Sequence, residues 1–236
     1  MKAGTEQTGD NTDHQGRRRL TPAEREKQIV DGAIRFFAEV GFEGQTRELA
    51  KRLGITQPLL YRYFPSKDSL IERVYLEVFV KRWQPGWDVL IVDRSRSLHD
   101  RLTQFYREYT RAIFNYEWVR IFMFAGLKGV NINERYLGIV REKLLRPVCT
   151  ELREMAGLPS PEVVPLTEEE LELAWDLHGG MYYMGIRQWI YHLSVPDDLD
   201  GHIDRVVGTF LRGAPETLRE HFPSLAPNAP SSSGAN

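Results

Sequence analysis

The sequence predicts an all-α protein in which a small helical head precedes a larger helical body. Three observations lead there. Between its polar ends, apolar residues recur at three-and-four spacing, the period of a helix with one buried face, and no convincing alternating strand interrupts them. Residues that cap helices (Thr21, Ser66, Thr167) and residues that stop them (Gly41, Gly54, Pro65) stand where each apolar period begins or ends. The charge divides with position. Residues 17–82 carry fourteen basic and nine acidic side chains, a net of +5, whereas the stretch from Trp83 onward is net −5.

The elements follow in order. Residues 1–16 and 222–236 are polar or Pro/Ser-rich, have nothing to bury, and are expected to be disordered tails. Thr21-Pro22-Ala23-Glu24 opens the first helix, with Thr21 as cap, Pro22 in the first turn and Glu24 closing a capping box. Ile29, Ala33, Phe36, Phe37 and Val40 form its apolar face, and Gly41 ends it. A short second helix spans roughly 46–53, with Leu49, Ala50 and Leu53 inward, and a third runs over 57–63. Ser66 caps a fourth through Ile71, Val74, Tyr75 and Phe79. Pro85-Gly86 marks a break between a head over 17–82 and a body over 83–221. Residues 89–92 are short enough for a strand, although a loop or a helix start fits better. Longer helices are expected over 97–114, 117–128, 133–155, 168–193 and 199–213, with a short one near 215–221. Pro147 should kink or divide the third of these. Three prolines make 157–165 a surface loop, and Thr167 with Glu170 forms another capping box.

Composition sets outer limits. The chain has 236 residues, 42% hydrophobic and 27% charged, and its formal net charge of −2 gives no bulk attraction to nucleic acid. One cysteine, Cys149, excludes an intrachain disulfide framework and a cysteine-based zinc site, and suits a cytoplasmic protein. Residues 1–16 lack the apolar stretch of a signal peptide. No run approaches the ~18 apolar residues of a membrane span, so no membrane partner is expected.

The second and third helices are the most informative segment. Ala50, Gly54 and Leu60 have the spacing of a tight helix-turn-helix: a small residue where the helices cross, a glycine for the turn, and a leucine that locks the pair. Such a unit presents its second helix to a DNA major groove. The segment Gly41-Phe42-Glu43-Gly44, then Thr46-Arg47-Glu48-Leu49-Ala50, then residues 54–70 with Leu60-Tyr61-Arg62-Tyr63-Phe64 and Ser66-Lys67, resembles the signature of the tetracycline-repressor (TetR) family over roughly residues 25–80. The resemblance implies a homodimeric, all-helical transcription regulator. Its head would bind double-stranded DNA carrying an inverted repeat. Its C-terminal domain would dimerise and bind a small molecule. Between Gly41 and Ala50 the chain is one residue shorter than the common family spacing, which leaves the cap of the second helix open.

The resemblance assigns roles residue by residue. Gln57, Pro58, Leu59, Tyr61 and Tyr63 fall on the recognition helix. Gln57 would bond a base edge or a phosphate, Pro58 would offer an apolar surface to a thymine methyl group, and Tyr61 would reach a phosphate. The alternatives are a packing contact within the head for Leu59 and a half-buried aromatic for Tyr63. Thr46 is a phosphate contact, and Arg47 would reach guanine, unless it forms a surface ion pair with Glu43 or Glu48. Lys67 would anchor a phosphate at the start of the fourth helix. Arg17-Arg18-Arg19 would follow the DNA backbone or enter a minor groove.

The body is rich in aromatics from Phe105 to Tyr191. Most are expected in the core. The resemblance implies that some line a cavity for a small apolar or aromatic effector, with Tyr109, His178, Tyr182 and Arg187 as its polar tips. The sequence shows no His-x-x-x-His pair, no cysteine pair and no glycine-rich phosphate loop after a strand. Glu168-Glu169-Glu170 reads as a helix start rather than a catalytic pair. Neither metal nor cofactor is expected, and the chain is not expected to be an enzyme. The late helices 168–193 and 199–213 would form the dimer interface. Gly179, Gly180 and Gly185 would allow close approach there, and Leu171, Ala174, Leu177, Val206, Val207 and Phe210 would supply apolar surface. A repressor released from its operator by its effector is the leading reading. An activator, or a DNA-binding protein without a small ligand, is the alternative. An interaction bundle whose head has lost its DNA role fits the basic bias poorly.

Overall fold

Thr21 starts the first helix as expected: its hydroxyl accepts from the Glu24 amide at 3.2 Å while its own amide donates to the Glu24 carboxylate at 2.8 Å. The computed structural model describes residues 20–222. The two tails, Phe222 excepted, and Arg17–Arg19 lie outside the described residues. Eleven α-helices and no strand occur among the described residues. They are α1 Pro22–Val40, α2 Thr46–Arg52, α3 Gln57–Tyr63, α4 Lys67–Val78, α5 Pro85–Val92, α6 Leu98–Ile113, α7 Tyr116–Lys128, α8 Ile132–Val140, α9 Arg146–Ala156, α10 Glu168–Trp189 and α11 Leu199–His221. No helix among the described residues is long and apolar enough to cross a membrane.

The amphipathic pattern explains the packing of the first four helices. Ile29, Ala33, Phe36 and Phe37 of α1 are fully buried, with Leu49, Ala50, Leu60 and Leu70 packed into the same core. Val40 departs from the expected apolar face and is 38% exposed. It lies in the last turn, beside the left-handed Gly41 (φ 72°) that swings the chain away. Gly44 is needed for space rather than for its backbone angle: a Cβ there would lie 2.4 Å from the Phe36 ring.

Head and body share one core. Phe79, just beyond α4, has ring-centroid distances of 5.0 Å to Trp118 and 5.6 Å to Tyr136. Arg120 on α7 donates to the Ala38 carbonyl at 2.6 Å, and Arg135 on α8 grips Glu72 on α4 through both terminal nitrogens at 2.6 and 2.9 Å. Pro85 starts α5 instead of simply breaking the chain, so residues 89–92 are helical.

Proline acts differently at two later places. Pro147 has no N–H and crowds the preceding turn, and the helix widens into a π-turn over Arg141–Leu145 before restarting as α9. At Pro215 the expected break is absent. α11 is continuous through Pro215, which is buried together with Ala214 and Leu218. Packing of that face offsets the lost hydrogen bond.

The capping box of α10 serves a second purpose. Glu170, 1% exposed, meets the equally buried Arg153 through Nε at 2.5 Å and Nη2 at 2.6 Å. Arg153 also donates to the carbonyls of Pro159, Val164 and Pro165, pinning the 157–165 loop. Burial would raise the Glu170 pKa, but the hydrogen bonds from Arg153 and Thr167 outweigh it and hold the carboxyl below its ordinary range. The residues expected at an interface are placed differently within the chain. Leu171, Ala174, Leu177 and Val207 are at most 5% exposed within their own chain. Gly185 faces Val119 and Phe114 of the same chain. Gly179 and Gly180 are exposed, with open space where a Cβ would stand.

Candidate nucleic-acid interface

The helix-turn-helix forms over α2 and α3. Gly54 takes the left-handed conformation (φ 63°) that ends α2, and the Ile55 amide bonds back to the Ala50 carbonyl at 3.0 Å. Thr56 then caps α3, its hydroxyl accepting from the Leu59 amide at 3.3 Å, and Pro58 lies in the first turn where no N–H is required. The shortened turn makes Gln45 the N-cap of α2, with no side-chain cap bond. Thr46 is therefore the first residue of α2, and its hydroxyl is used elsewhere.

That use joins three of the expected contact residues. Gln57 Nε2 donates to Thr46 Oγ1 at 3.2 Å, and Thr46 Oγ1 lies 2.9 Å from the Tyr61 hydroxyl. The start of α2 and one side of α3 thus share a small polar network. Pro58 and Tyr61 are exposed beside it. Leu59 is half-exposed and does not pack on the core, whereas Tyr63 does. Lys67 sits at the start of α4 with its amine on the Phe42 carbonyl, tying α4 to the turn after α1. The carbonyl is neutral, so the lysine charge is not cancelled.

Arg47 is exposed and forms neither alternative ion pair: Glu43 is taken by Lys128, and Glu48 by Arg52. Two further exposed cations, Lys51 and Arg62, also lack an ion-pair partner among the described residues. The motif reading did not single them out. Arg62 stands within the Leu60-Tyr61-Arg62-Tyr63-Phe64 motif and Lys51 is marked only by its charge, while the absence of a carboxylate within reach is decided by the fold.

A cavity of about 250 Å³ lies in the body between α6, α7, α8 and α10. Trp118, Phe122, Tyr136, Leu137 and Trp175 supply apolar walls, with Gly179 beside them. Three of the four expected polar tips, Tyr109, His178 and Tyr182, line it. Arg187 does not. It lies about two turns beyond His178 on α10, with its guanidinium 5.9 Å from the Tyr183 ring centre. Burial pushes the His178 pKa down to about 4, so its imidazole is neutral at physiological pH.

Known proteins match both parts of this architecture. The family model for bacterial regulatory proteins of the tetR family matches residues 29–74. The chain is 34% identical over 56 residues to the class D tetracycline repressor protein of Escherichia coli, covering 23% of this chain and 26% of that one. It is 34% identical over 82 residues to the class A repressor from transposon 1721 of Escherichia coli, covering 31% and 38% respectively. These matches span well under half of the curated relatives' length. Solved structures extend the likeness in fold. A TetR-like transcriptional regulator from Rhodococcus sp. RHA1 aligns with a TM-score of 0.60 at 19% identity, covering 83% of this chain and all of that one. A tetR-family regulator from Streptomyces coelicolor aligns at 0.56 and 17% identity, covering 87% and 88%. The matching signature lies on the helix-turn-helix described above, so this segment is similar to the corresponding part of the tetR family of bacterial regulatory proteins.

Proposed function

We propose that the protein is a dimeric, sequence-specific DNA-binding transcription regulator, a repressor that a small apolar or aromatic effector releases from its operator. The observation that carries the reading is the outer side of the helix-turn-helix. There Gln57, Thr46 and Tyr61 form a polar network flanked by Arg47, Lys51 and Arg62, three cations without an ion-pair partner among the described residues. A surface built only for solubility would show cations interleaved with carboxylates. In this reading Gln57 and Arg47 read base edges, Pro58 and Leu59 make apolar contact, and Tyr61, Thr46, Lys51, Arg62 and Lys67 position the backbone. Tyr63, packed on the core, orients the recognition helix. The head spans 17–82 and the body 83–221.

One recognition helix reads too few bases for operator specificity, so a second copy is needed. An apolar groove between α10 and α11, lined by Leu177, Val206 and Phe210 and rimmed by His202, Arg205 and Thr209, fits a second copy of this face, with the exposed Gly179 and Gly180 nearby. The cavity in the body supports the effector reading.

Titration of wild-type protein against the inverted repeat nearest its own gene, and against a scrambled duplex at one salt concentration, tests the reading. Tight binding to the repeat alone is expected, with a Gly180→Trp variant sedimenting as a monomer and retaining only weak, salt-sensitive binding to both duplexes. Equal affinity for both duplexes would refute sequence-specific binding.

A further inference from the structure

The chemistry of the body cavity narrows what it binds, and this inference rests on reading the body as an effector domain. Three polar atoms on cavity-lining residues are buried without a hydrogen-bond partner among the described residues: Trp118 Nε1, His178 Nδ1 and the Tyr182 hydroxyl. Buried polar groups are normally satisfied, so a cluster of three around one cavity calls for a partner.

A relay defines what kind of partner. The Tyr136 hydroxyl donates to the Tyr109 hydroxyl at 3.1 Å, and Tyr109 lies 3.5 Å from His178 Nε2. His178 Nε2 is the only acceptor for the Tyr109 proton among the described residues, so Tyr109 turns that proton toward Nε2. In a neutral imidazole that places the ring proton on Nδ1, making the unpartnered nitrogen a donor. Trp118 Nε1 can only donate, and the Tyr182 hydroxyl can donate as well. His178 and Tyr182 stand four residues apart on α10, so their side chains lie one turn apart on the same face.

Charge and size complete the description. None of the cavity-lining side chains is charged at neutral pH, because burial keeps His178 neutral. An anion would lose its hydration without meeting a cation. The volume of about 250 Å³ lies just below the roughly 300–1,000 Å³ usual for drug-sized ligands. The aromatic walls meet edge to face, as in the Trp118–Tyr136 pair at 5.3 Å and the Phe122–Tyr182 pair at 5.4 Å, which suits a flat guest.

We infer that the cavity takes a small, flat, neutral molecule with an acceptor oxygen, a carbonyl on a one- or two-ring frame, and that His178 Nδ1–H and the Tyr182 hydroxyl receive that oxygen. Trp118 Nε1–H supplies a further donor from α7.

Calorimetric titration of the full chain without DNA tests this with three probes of one frame: 1-tetralone, its hydrocarbon tetralin, and the anion 5,6,7,8-tetrahydro-1-naphthoate. The ketone is expected to bind about tenfold or more tighter than either of the others, the difference between a satisfied and an unsatisfied buried donor. Tyr182→Phe and His178→Leu should each shrink the ketone-to-hydrocarbon ratio to within about threefold, whatever they do to absolute affinity. His178→Asn, which keeps a donor near the Nδ1 position, should restore it. Thermal melts identify a variant that has lost its fold, and the wild-type ratio decides the matter without any variant. Equal binding of ketone and hydrocarbon, tightest binding of the carboxylate, or no binding of either neutral probe would overturn the inference. Operator release is measured separately. Ketone binding that leaves operator affinity unchanged would keep the ligand class and remove the effector reading.

Discussion

Arg62 on α3 and Arg153 on α9 are the same residue type in opposite circumstances. Arg62 is exposed and meets no carboxylate among the described residues, and neither do its neighbours Arg47 and Lys51. Arg153 is fully buried, bonded to both oxygens of Glu170 and to three loop carbonyls. Arg101 repeats the buried pattern, with both terminal nitrogens on Glu151 at 2.7 and 2.5 Å. Nearer the surface, Arg141 also finds a carboxylate, that of Glu168, whereas the exposed Arg96 and Arg212 bond to Gln104 and Thr209 instead. The difference teaches that net charge describes this surface poorly. The same guanidinium that closes a loop onto a helix in the body is left available on the helix-turn-helix, where it adds to a field that a phosphate backbone can feel.

The sharpest way to break the comparison is to remove a body arginine. Arg153→Met leaves Glu170 buried without its partner and frees the 157–165 loop. The expected loss is about 3–5 kcal/mol of unfolding free energy, measured by urea denaturation. An unchanged denaturation midpoint would mean that the pair carries no structural weight.

The cavity histidine tests the same contrast by adding a charge where the body excludes it. Folded His178 stays neutral down to about pH 4, against an ordinary value of 6.5. As pH falls below 6.5 the unfolded chain takes up the proton first, so stability drops progressively until about pH 4 and no further through this group. The loss is at most about 3 kcal/mol. Denaturation of wild type and His178→Phe at stepped pH should show a smaller decline for the variant across that window. Parallel curves would show that His178 does not titrate as its burial requires.

In the head, substitutions should change recognition and leave folding intact. Gln57→Ala is expected to reduce discrimination between operator and scrambled duplex by about 1–3 kcal/mol, measured by paired titrations. Equal losses on both duplexes would reassign Gln57 to the backbone. The smallest effects belong to Lys51→Ala and Arg62→Ala. Each should lower the salt dependence of binding by about one unit of slope, equally on any duplex, and change stability by no more than about 0.5 kcal/mol. A stability loss as large as that of Arg153→Met would erase the distinction between the two regions.

Local chemistry made most of the secondary structure legible. The capping boxes at Thr21 and Thr167, the stops at Gly41 and Gly54, and the limits of α2 and α3 follow from side chains acting on backbone groups a few residues away. The helix-turn-helix was readable for the same reason, since its turn and crossing residues lie within one short segment. Proline showed the limit of local reasoning. Pro147 disturbed its helix as expected, whereas Pro215 did not end α11, because burial of Ala214, Pro215 and Leu218 offsets a missing bond.

What the sequence determined by itself was therefore the all-helical class, the order of most helices and the position of the helix-turn-helix, all properties of periodicity and short-range hydrogen bonding. Only the tertiary structure decided which cations meet carboxylates. Arg153 and Glu170 lie 17 residues apart and Arg101 and Glu151 lie 50 apart, while Arg47 is passed over by both of its acidic neighbours. It also decided that Gly185 packs inside its own chain, and that Tyr109, His178 and Tyr182 surround one cavity while Arg187 does not. Such contacts depend on how whole helices cross, and a side chain's neighbours across a helix crossing are set by packing that no local pattern encodes.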